Sequence, residues 1–341
     1  MTRLRLGTRR SPLAQAQSRW VTDQLHQAFT DLQVEWVLIT TSGDTRPSSS
    51  EATPRSSSPA GSGGGSMDSP PVTGGNDVRG VGDDGIVRSA TNLKTLFTKE
   101  IEDALLDDRI DLAVHSMKDM PIELPEGLVI GAVPLREDPR DVWISREDRP
   151  FREVPAGARV ATGAIRRQAQ LRHMRPDLEL VPLRGNVDTR LRKLSEGSFD
   201  GLVLALAGLK RLGQEKEVTE VFSLERLLPA VGQGALAIET RPEDRLVSYL
   251  GSMNHQPSFL AVQAERAFLK TLGGSCQTPI AAYAHLSDGQ LVLDGLVASP
   301  DGRRLVRDVE KGPLDEASGI GARLAEKLLT SGAHAILFPQ K

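Results

Sequence analysis

Residues 159–205 read RVATGAIRRQAQLRHMRPDLELVPLRGNVDTRLRKLSEGSFDGLVLA, and their pattern indicates the fold class. Short apolar segments alternate here with longer segments whose apolar residues follow helical spacing. Strands are predicted at residues 159–161, 180–182 and 201–205, and helices at residues 164–174 and 187–196. Gly197 directly follows the second helix, where glycine commonly ends a helix. Alternation of this kind indicates an α/β unit with a largely parallel sheet.

The same alternation occurs near the N-terminus. Ser11 precedes Pro12, which predicts a helix with Ser11 as its N-cap and Pro12 at the first helical position. The predicted buried stripe of this helix consists of Leu13, Ala16, Trp20 and Val21. Strands are predicted at residues 4–6, 34–40 and 112–114, and a further helix from the spacing of Leu96, Phe97, Ile101 and Leu105. The sequence therefore predicts a second α/β unit.

The C-terminal part has a different order of elements. A helix is predicted near residues 261–272, then strands at residues 290–297 and 305–309, and then a helix over residues 317–329. Strands grouped between helices in this way indicate an α+β domain.

A segment rich in Ser, Gly and Pro interrupts the N-terminal unit at about residues 47–85. Such a composition buries too little apolar surface to offset the entropy lost on ordering. We expect a disordered insertion without chemistry of its own.

The bulk composition limits the class of protein. The 341 residues, of which 39% are hydrophobic, are enough for two or three domains with cores. The net charge of −3 does not indicate a nucleic-acid binder. Cys276 is the single cysteine, so no internal disulfide forms, which is typical of a reducing compartment. Neither a signal-peptide pattern nor an apolar run of membrane-spanning length is present, so we expect a cytoplasmic protein without membrane contact.

Arginines recur in the predicted strand-to-helix turns. Arg9 lies before one helix, Arg166 and Arg167 lie in the first turn of another, and Arg184 and Arg190 flank the start of a third. Ligands of open α/β sheets bind at such turns, and guanidinium groups beside helix N-termini bind carboxylates and phosphates well. A single arginine is usually a solvated surface residue, but this repetition indicates an anion-binding cleft.

Three residues with reactive side chains remain open to more than one interpretation. Asp119, in the turn after the strand that ends at His115, suits general acid–base work or the stabilisation of positive charge, but also simple turn capping. Lys118 suits an anion contact, a nucleophile or a solvated surface position. Cys276 is either a buried small side chain or a reactive thiol in a glycine-containing loop. His115 has no second metal ligand at a recognisable spacing, and we interpret it as structural.

Six motifs together make the sequence similar to the porphobilinogen deaminase family. They are VHSMKDMP (114–121), IRRQAQL (165–171), LRGNVDTRLRKL (183–194), ALAGLKRLG (205–213), LPAVGQGALAIE (228–239) and GGSCQTPI (273–280). The resemblance extends over the whole chain except the Ser/Gly/Pro insertion.

The resemblance implies two α/β lobes like those of periplasmic binding proteins, with the active site between them, and a smaller C-terminal α+β domain. The first lobe corresponds to residues 1–134 and 234–251, the second to residues 140–228, and the C-terminal domain to residues 256–341.

The implied activity is the stepwise condensation of four porphobilinogen molecules into hydroxymethylbilane, with release of ammonia, by a cytoplasmic monomer. The implied cofactor is a dipyrromethane joined by a thioether to Cys276, without metal or nucleotide. Asp119 corresponds to the catalytic carboxylate. The implied cofactor-binding residues are Ser116, Lys118, Arg166, Arg167, Asn186 and Arg190. The implied substrate-binding residues are Arg9, Ser11, Arg184, Arg211 and Lys94.

The chain departs from the family pattern at Lys94, whose flanking sequence is not glycine-rich, and at Gly163 and Ala164, where many members carry hydroxyl residues. Ser275 also replaces the usual glycine before the cysteine. These departures bear on cofactor affinity and turnover.

Two other classes of protein share part of this pattern. A non-catalytic two-lobed binding protein would also carry the alternation and the arginines, but it would not need Cys276 or Asp119. The ligand-sensing part of a regulator would normally bring a helix-turn-helix segment, and no convincing one is present.

Overall fold

The computed structural model describes residues 2–41, 98–274 and 278–339. The predicted insertion, together with Lys94, Ser275 and Cys276, lies outside these ranges.

The strands of the described ranges are β1 (Thr2–Arg9), β2 (Leu32–Ile39), β3 (Leu112–Ser116), β4 (Val129–Ala132), β5 (Asp141–Ser145), β6 (Arg159–Ala161), β7 (Glu179–Val181), β8 (Gly201–Ala205), β9 (Glu220–Val221), β10 (Leu236–Thr240), β11 (Ile280–Ser287), β12 (Gln290–Ala298) and β13 (Leu305–Gly312). The helices are α1 (Pro12–Ala28), α2 (98–106), α3 (Ile165–Met174), α4 (Val187–Ser195), α5 (Leu206–Arg211), α6 (Val247–Met253), α7 (Gln256–Thr271), α8 (Ala317–Leu328) and α9 (His334–Leu337).

The first lobe is built on a five-stranded sheet of order β2-β1-β3-β10-β4, in which only β10 runs against its neighbours. Successive strand residues point to opposite faces, so that Leu112 and Val114 pack on the side of α1 and α6, while Ala113 packs on the side of α2. Both faces are therefore buried, and the carboxyl ends of β1 and β3 lie at one edge of the sheet.

The second lobe repeats this plan with strand order β7-β6-β8-β5-β9, in which β5 is antiparallel to its neighbours. Trp143 is fully buried at its centre and packs edge-on against Phe151. Gly201 lies under the indole ring, where an added Cβ would come within 1.9 Å of Trp143. The largely parallel sheet predicted from the alternation is confirmed in both lobes.

The third domain consists of the antiparallel sheet β11-β12-β13 packed on α7 and α8. Its core is centred on Phe268 and Leu324, both fully buried. β11 was not predicted from the sequence, because its apolar residues are mostly alanines, which have low strand propensity. Strands β4, β5, β9 and β10 of the lobes were not predicted either, whereas the division into two α/β lobes and a C-terminal α+β domain is as predicted.

The third domain touches both lobes. Arg266 of α7 donates hydrogen bonds to the carbonyl oxygens of Pro121 and Ile122 in the first lobe, at 2.8 and 2.7 Å. Arg307 of β13 donates to the carbonyl oxygens of Leu224 and Glu225 beside the second lobe. In the described ranges, no helix is long and apolar enough to cross a bilayer.

Helix α1 begins as predicted, with Ser11 as N-cap accepting a hydrogen bond from the Ala14 amide. Its predicted buried stripe is wrong except for Val21. The buried residues are Gln17, Ser18, Val21 and Leu25, whereas Leu13 and Ala16 are half-buried and Trp20 is 39% exposed. Leu13 instead approaches Gly208 of the second lobe. The stripe is displaced because α1 packs on β1 and β3 and also against α5 of the second lobe.

Candidate active site

Asp119 lies on a short helical turn, Met117–Asp119, that follows β3 directly. Met117 and Met120 are buried on either side of it, and the Met117 amide donates to the carbonyl oxygen of Ala235. The Asp119 side chain is exposed. A carboxylate is thus presented to solvent from a turn whose neighbouring residues are held in the core.

Ser116, the last residue of β3, accepts a hydrogen bond of 2.7 Å from Gln17 Nε2 of α1. Gln17 is almost completely buried and was not predicted as a site residue. Its position inside the apolar stripe of α1 was the available signal, because a polar residue on a buried face needs a polar partner.

Arg166 and Arg167 are both buried in the second lobe and share one acceptor that the sequence analysis missed, Asp141 of β5. Arg166 Nη1 lies 2.7 Å from Asp141 Oδ2, and Arg167 Nη2 lies 2.6 Å from Asp141 Oδ1. The two arginines hold the pKa of Asp141 far below its usual range despite complete burial. They are therefore not solvated surface residues.

Gly232-Gln233-Gly234 forms a close-packed crossing between the lobes. Both glycines have positive φ, and an added Cβ would lie 2.5 Å from Met117 Cγ at Gly232 and 2.2 Å from the Glu137 carbonyl oxygen at Gly234. These positions require glycine because backbone and site turn meet here.

Lys118 connects the two lobes electrostatically. Burial, assisted by the charges of Arg167 and Arg166, lowers the pKa of Lys118 to about 8, against the opposing effect of Asp119. The charges of the paired arginines in the second lobe therefore act on the ammonium group of Lys118 in the first.

Arg190 of α4 faces the same region. Its Nε donates to the carbonyl oxygen of Gly185 at 2.8 Å. Burial and, to a smaller extent, the charge of Arg167 lower the pKa of Arg190 to about 10, against the opposing effect of Asp119. The charge of Asp119 in the first lobe thus acts on Arg190 in the second.

Arg211, at the end of α5, donates a hydrogen bond of 2.6 Å to the carbonyl oxygen of Gly234. Burial lowers the pKa of Arg211 to about 10, and Glu137 opposes this effect. The structure thus places this predicted substrate ligand at the crossing between the lobes.

The other predicted ligands occupy the strand-to-helix turns. Arg9 is half-buried at the end of β1, and Arg184 is exposed before α4. Asn186 is the N-cap residue of α4, although its side chain makes no capping hydrogen bond. Gly163 faces the Leu183 carbonyl oxygen, which would lie 2.4 Å from an added Cβ, so this backbone has no space for a hydroxyl side chain.

His115 has a structural setting, in agreement with its interpretation from the sequence. Its Nε2 lies 3.0 Å from Glu239 Oε2 of β10, and both side chains are buried. Glu102 of α2 lies in the same interior group, and burial raises its pKa, with the charge of Glu239 acting in the same direction.

These features define the class of protein: two α/β lobes that share one strand plan, with an added α+β domain, and with cationic side chains and one exposed carboxylate near the crossing between the lobes. Two family models match the chain. "Porphobilinogen deaminase, dipyromethane cofactor binding domain" matches residues 4–53 and 77–248, and "Porphobilinogen deaminase, C-terminal domain" matches residues 259–330.

Curated relatives agree with these matches. The porphobilinogen deaminase of Syntrophotalea carbinolica is 44% identical over 335 residues, covering 98% of this chain and 95% of the relative. That of Moorella thermoacetica is 45% identical over 338 residues, covering 99% and 96%. The chain belongs to the porphobilinogen deaminase family, a family of transferases in tetrapyrrole biosynthesis that use a dipyrromethane cofactor. The predicted family is thereby confirmed.

Solved structures resemble the chain more distantly. The methionine-binding protein MetQ has a TM-score of 0.42 at 12% identity, covering 77% of this chain and 93% of that one. The probable amino-acid ABC transporter extracellular-binding protein ytmK from Bacillus subtilis has a TM-score of 0.40 at 9% identity, covering 74% and 90%.

Proposed function

We propose that the chain condenses four porphobilinogen molecules into hydroxymethylbilane at the cleft between its lobes, with Asp119 as the catalytic carboxylate. The observation that carries this assignment is the position of Asp119. Its carboxylate is exposed on a turn anchored by Met117 and Met120, and it interacts with Lys118 and with Arg190 of the opposite lobe.

The role of Asp119 follows from the charge that the reaction creates. Loss of ammonia from porphobilinogen produces an electron-poor azafulvene cation. A fixed carboxylate stabilises such a cation without reorganising at the moment of reaction. The buried methionines keep the turn in place, so Asp119 offers that charge in a defined position, and it is also the group available for proton transfer.

The residues around the cleft suit a cofactor that carries several carboxylates. Arg167 is buried, and its Nε has no hydrogen-bond partner within the described structure, so it can donate to an added acceptor. Burial disfavours the positive charges of Lys118 and Arg190, and a bound anion would offset this cost. When bound through Cys276, dipyrromethane supplies the pyrrole primer to which substrate units are added.

We assign the cofactor carboxylates to Ser116, Lys118, Arg166, Arg167, Asn186 and Arg190. We assign binding of the incoming substrate and of the growing chain to Arg9, Ser11, Arg184 and Arg211, at the edges of the same cleft, and to Lys94. Ser11 caps α1 with its oxygen, which leaves its hydroxyl proton for a ligand. The accumulation of an acetate and a propionate on every ring explains why so many cations line the cleft of a slightly acidic protein.

The proposed domain boundaries are those expected from the sequence, residues 1–134 with 234–251, 140–228 and 256–341. They are supported by the division of strands among three sheets, with β10 returning to the first. We further propose a cytoplasmic monomer, which the single cysteine and the family membership support.

The test of this function is the cofactor itself. Intact-protein mass should show a dipyrromethane adduct on the purified chain, and Ehrlich's reagent should colour the denatured, desalted protein. Cys276→Ser should lack the adduct and form no hydroxymethylbilane, whereas the neighbouring Gln277→Ser should keep both. Fully active protein with an unmodified Cys276 would contradict the mechanism, and protein that binds porphobilinogen without turnover would favour a binding protein.

A further inference from the structure

Asp141 is the centre of a closed hydrogen-bond network beneath the cleft. Its side chain is completely buried, yet it accepts from Arg166 at 2.7 Å, from Arg167 at 2.6 Å and from Gln233 Nε2 at 2.8 Å. A buried carboxylate is tolerated only when it is paired and fully hydrogen-bonded. The three partners together satisfy that requirement.

The network uses most of the donors of Arg166. Besides Asp141, Arg166 donates to the Leu228 carbonyl oxygen at 3.1 Å and to Gln233 Oε1 at 2.9 Å. Gln233 in turn donates to the Pro139 carbonyl oxygen at 2.6 Å. Both chain segments that pass between the lobes are therefore tied to Asp141.

Arg167 makes fewer hydrogen bonds in this network than Arg166 does. One bond goes to Asp141 and one, of 3.1 Å, to the Val203 carbonyl oxygen, while its buried Nε has no partner within the described structure. Its charge also lowers the pKa values of Lys118 in the first lobe and of Arg190 in the second. Two adjacent buried guanidinium groups repel each other, and Asp141 is the carboxylate that compensates them.

We propose that Asp141 is a positioning residue: its carboxylate fixes the guanidinium planes of Arg166 and Arg167, so that Arg167 presents its remaining N–H groups to the carboxylates of the cofactor. Gln233 links this hydrogen-bond network to the crossing between the lobes. It thereby keeps the two arginines in a fixed position relative to Lys118. This inference rests on the proposed assignment of the two arginines to the cofactor.

The experiment follows adduct formation on full-length apo protein, produced in cells that make no porphobilinogen, by intact-protein mass after addition of porphobilinogen. Asp141→Asn keeps the shape but removes the charge, and we expect adduct formation to slow by roughly 10–100-fold in a protein with normal circular dichroism. Asp138→Asn is the matched control: Asp138 pairs with Arg140 on the same segment, outside the network, and the rate should stay unchanged. Wild-type kinetics in folded Asp141→Asn would overturn the proposal.

A double-mutant cycle separates positioning from general stability. If Asp141 acts through the arginines, Asp141→Asn should add little to the defect of Arg167→Gln, and independent multiplicative effects would contradict this. Should Asp141→Asn alone not fold, the charge-balanced pair Asp141→Asn with Arg166→Gln replaces it, and this pair should be slower than Arg166→Gln alone; equal rates would overturn the proposal. An Arg167→Gln variant with normal adduct formation would instead remove Arg167 from the cofactor site.

Discussion

Gln17 Nε2 of α1 donates a 2.7 Å hydrogen bond to Ser116 Oγ at the end of β3. Because Ser116 accepts this bond, its own hydroxyl proton is left for another acceptor. The bond joins the helix that follows β1 to the strand that leads into the Asp119 turn. It holds the Ser116 side chain in one orientation before any ligand arrives, which is the preorganisation that a binding or catalytic site requires.

Asp119→Asn should lower the rate of single-turnover formation of enzyme–substrate adducts by about 10²–10³, because the substitution removes a fixed negative charge from the site. Asp119→Glu should keep part of the activity, since the charge survives in a shifted position. Glu123→Gln is the control: this exposed carboxylate lies four residues further on and pairs with Lys270 at the surface. An Asp119→Asn protein that elongates at the parent rate would exclude charge stabilisation by Asp119.

Lys118 should give cofactor assembly a pH dependence. Its pKa of about 8 means that the ammonium charge is present at lower pH and is lost as the pH rises through this value. The second-order rate of adduct formation on apo protein reports groups of the free protein, so it should fall above about pH 8. Lys118→Arg should lack this fall because a guanidinium stays protonated. Identical pH profiles for the two proteins would contradict the assignment.

Arg190→Leu should impair primer assembly or elongation far more than folding, because the charges of both Asp119 and Arg167 act on Arg190. Loss of a charged hydrogen-bond donor typically costs about 1.5–3 kcal/mol, or roughly 10–100-fold in rate. Arg192→Leu, on the same helix, removes only a surface pair with Glu196 and should behave as the parent. Mass spectra of the enzyme–substrate adducts distinguish the outcomes, and normal intermediates in Arg190→Leu would place this residue outside the site.

Glu102→Gln should stabilise the protein at neutral pH. Burial raises the pKa of Glu102, so the folded state binds its proton more tightly than the unfolded state does. The stability of the parent should therefore fall as the pH rises from the ordinary carboxyl range through the raised pKa, and the variant should lack this loss. A tenfold difference in proton affinity between the folded and unfolded states corresponds to about 1.4 kcal/mol of unfolding free energy. Urea unfolding between pH 5 and 8 measures the difference, and exposed Glu126→Gln is the control. A stability difference between parent and variant that does not change with pH would contradict this explanation.

Arg136→Met should destabilise the fold strongly. Arg136 pairs with fully buried Glu265 of α7 at 2.5 Å, and Glu265 also accepts from the Gly232 and Ala284 amides. Breaking a buried pair leaves an uncompensated charge at the junction of the three domains and typically costs about 3–5 kcal/mol. Arg3→Met breaks the exposed pair with Glu35 and should cost less than about 1 kcal/mol. Similar denaturation midpoints for the two variants would contradict the predicted difference in stability.

Local sequence was sufficient for the elements that depend on local rules. The alternation in residues 159–205 predicted the parallel strands of the second lobe, and Ser11-Pro12 predicted the start of α1. The positions of the arginines in strand-to-helix turns follow from the same alternation, because parallel strands bring such turns to one edge of a sheet. The disorder expected at residues 47–85 rests on composition alone and stays a prediction.

Which side chains act together depends on contacts that form only in the folded chain. The spacing of α1 could not show that Trp20 is exposed and that Leu13 approaches Gly208, because the neighbour that covers α1 partly belongs to the other lobe. In the sequence, Asp141 looks like an ordinary charged residue at the start of a strand, and its two arginines follow 25 and 26 positions later. Sequence determines the chemistry available at each position. Pairing, burial and the resulting changes in pKa come from contacts between distant segments, which local spacing does not encode.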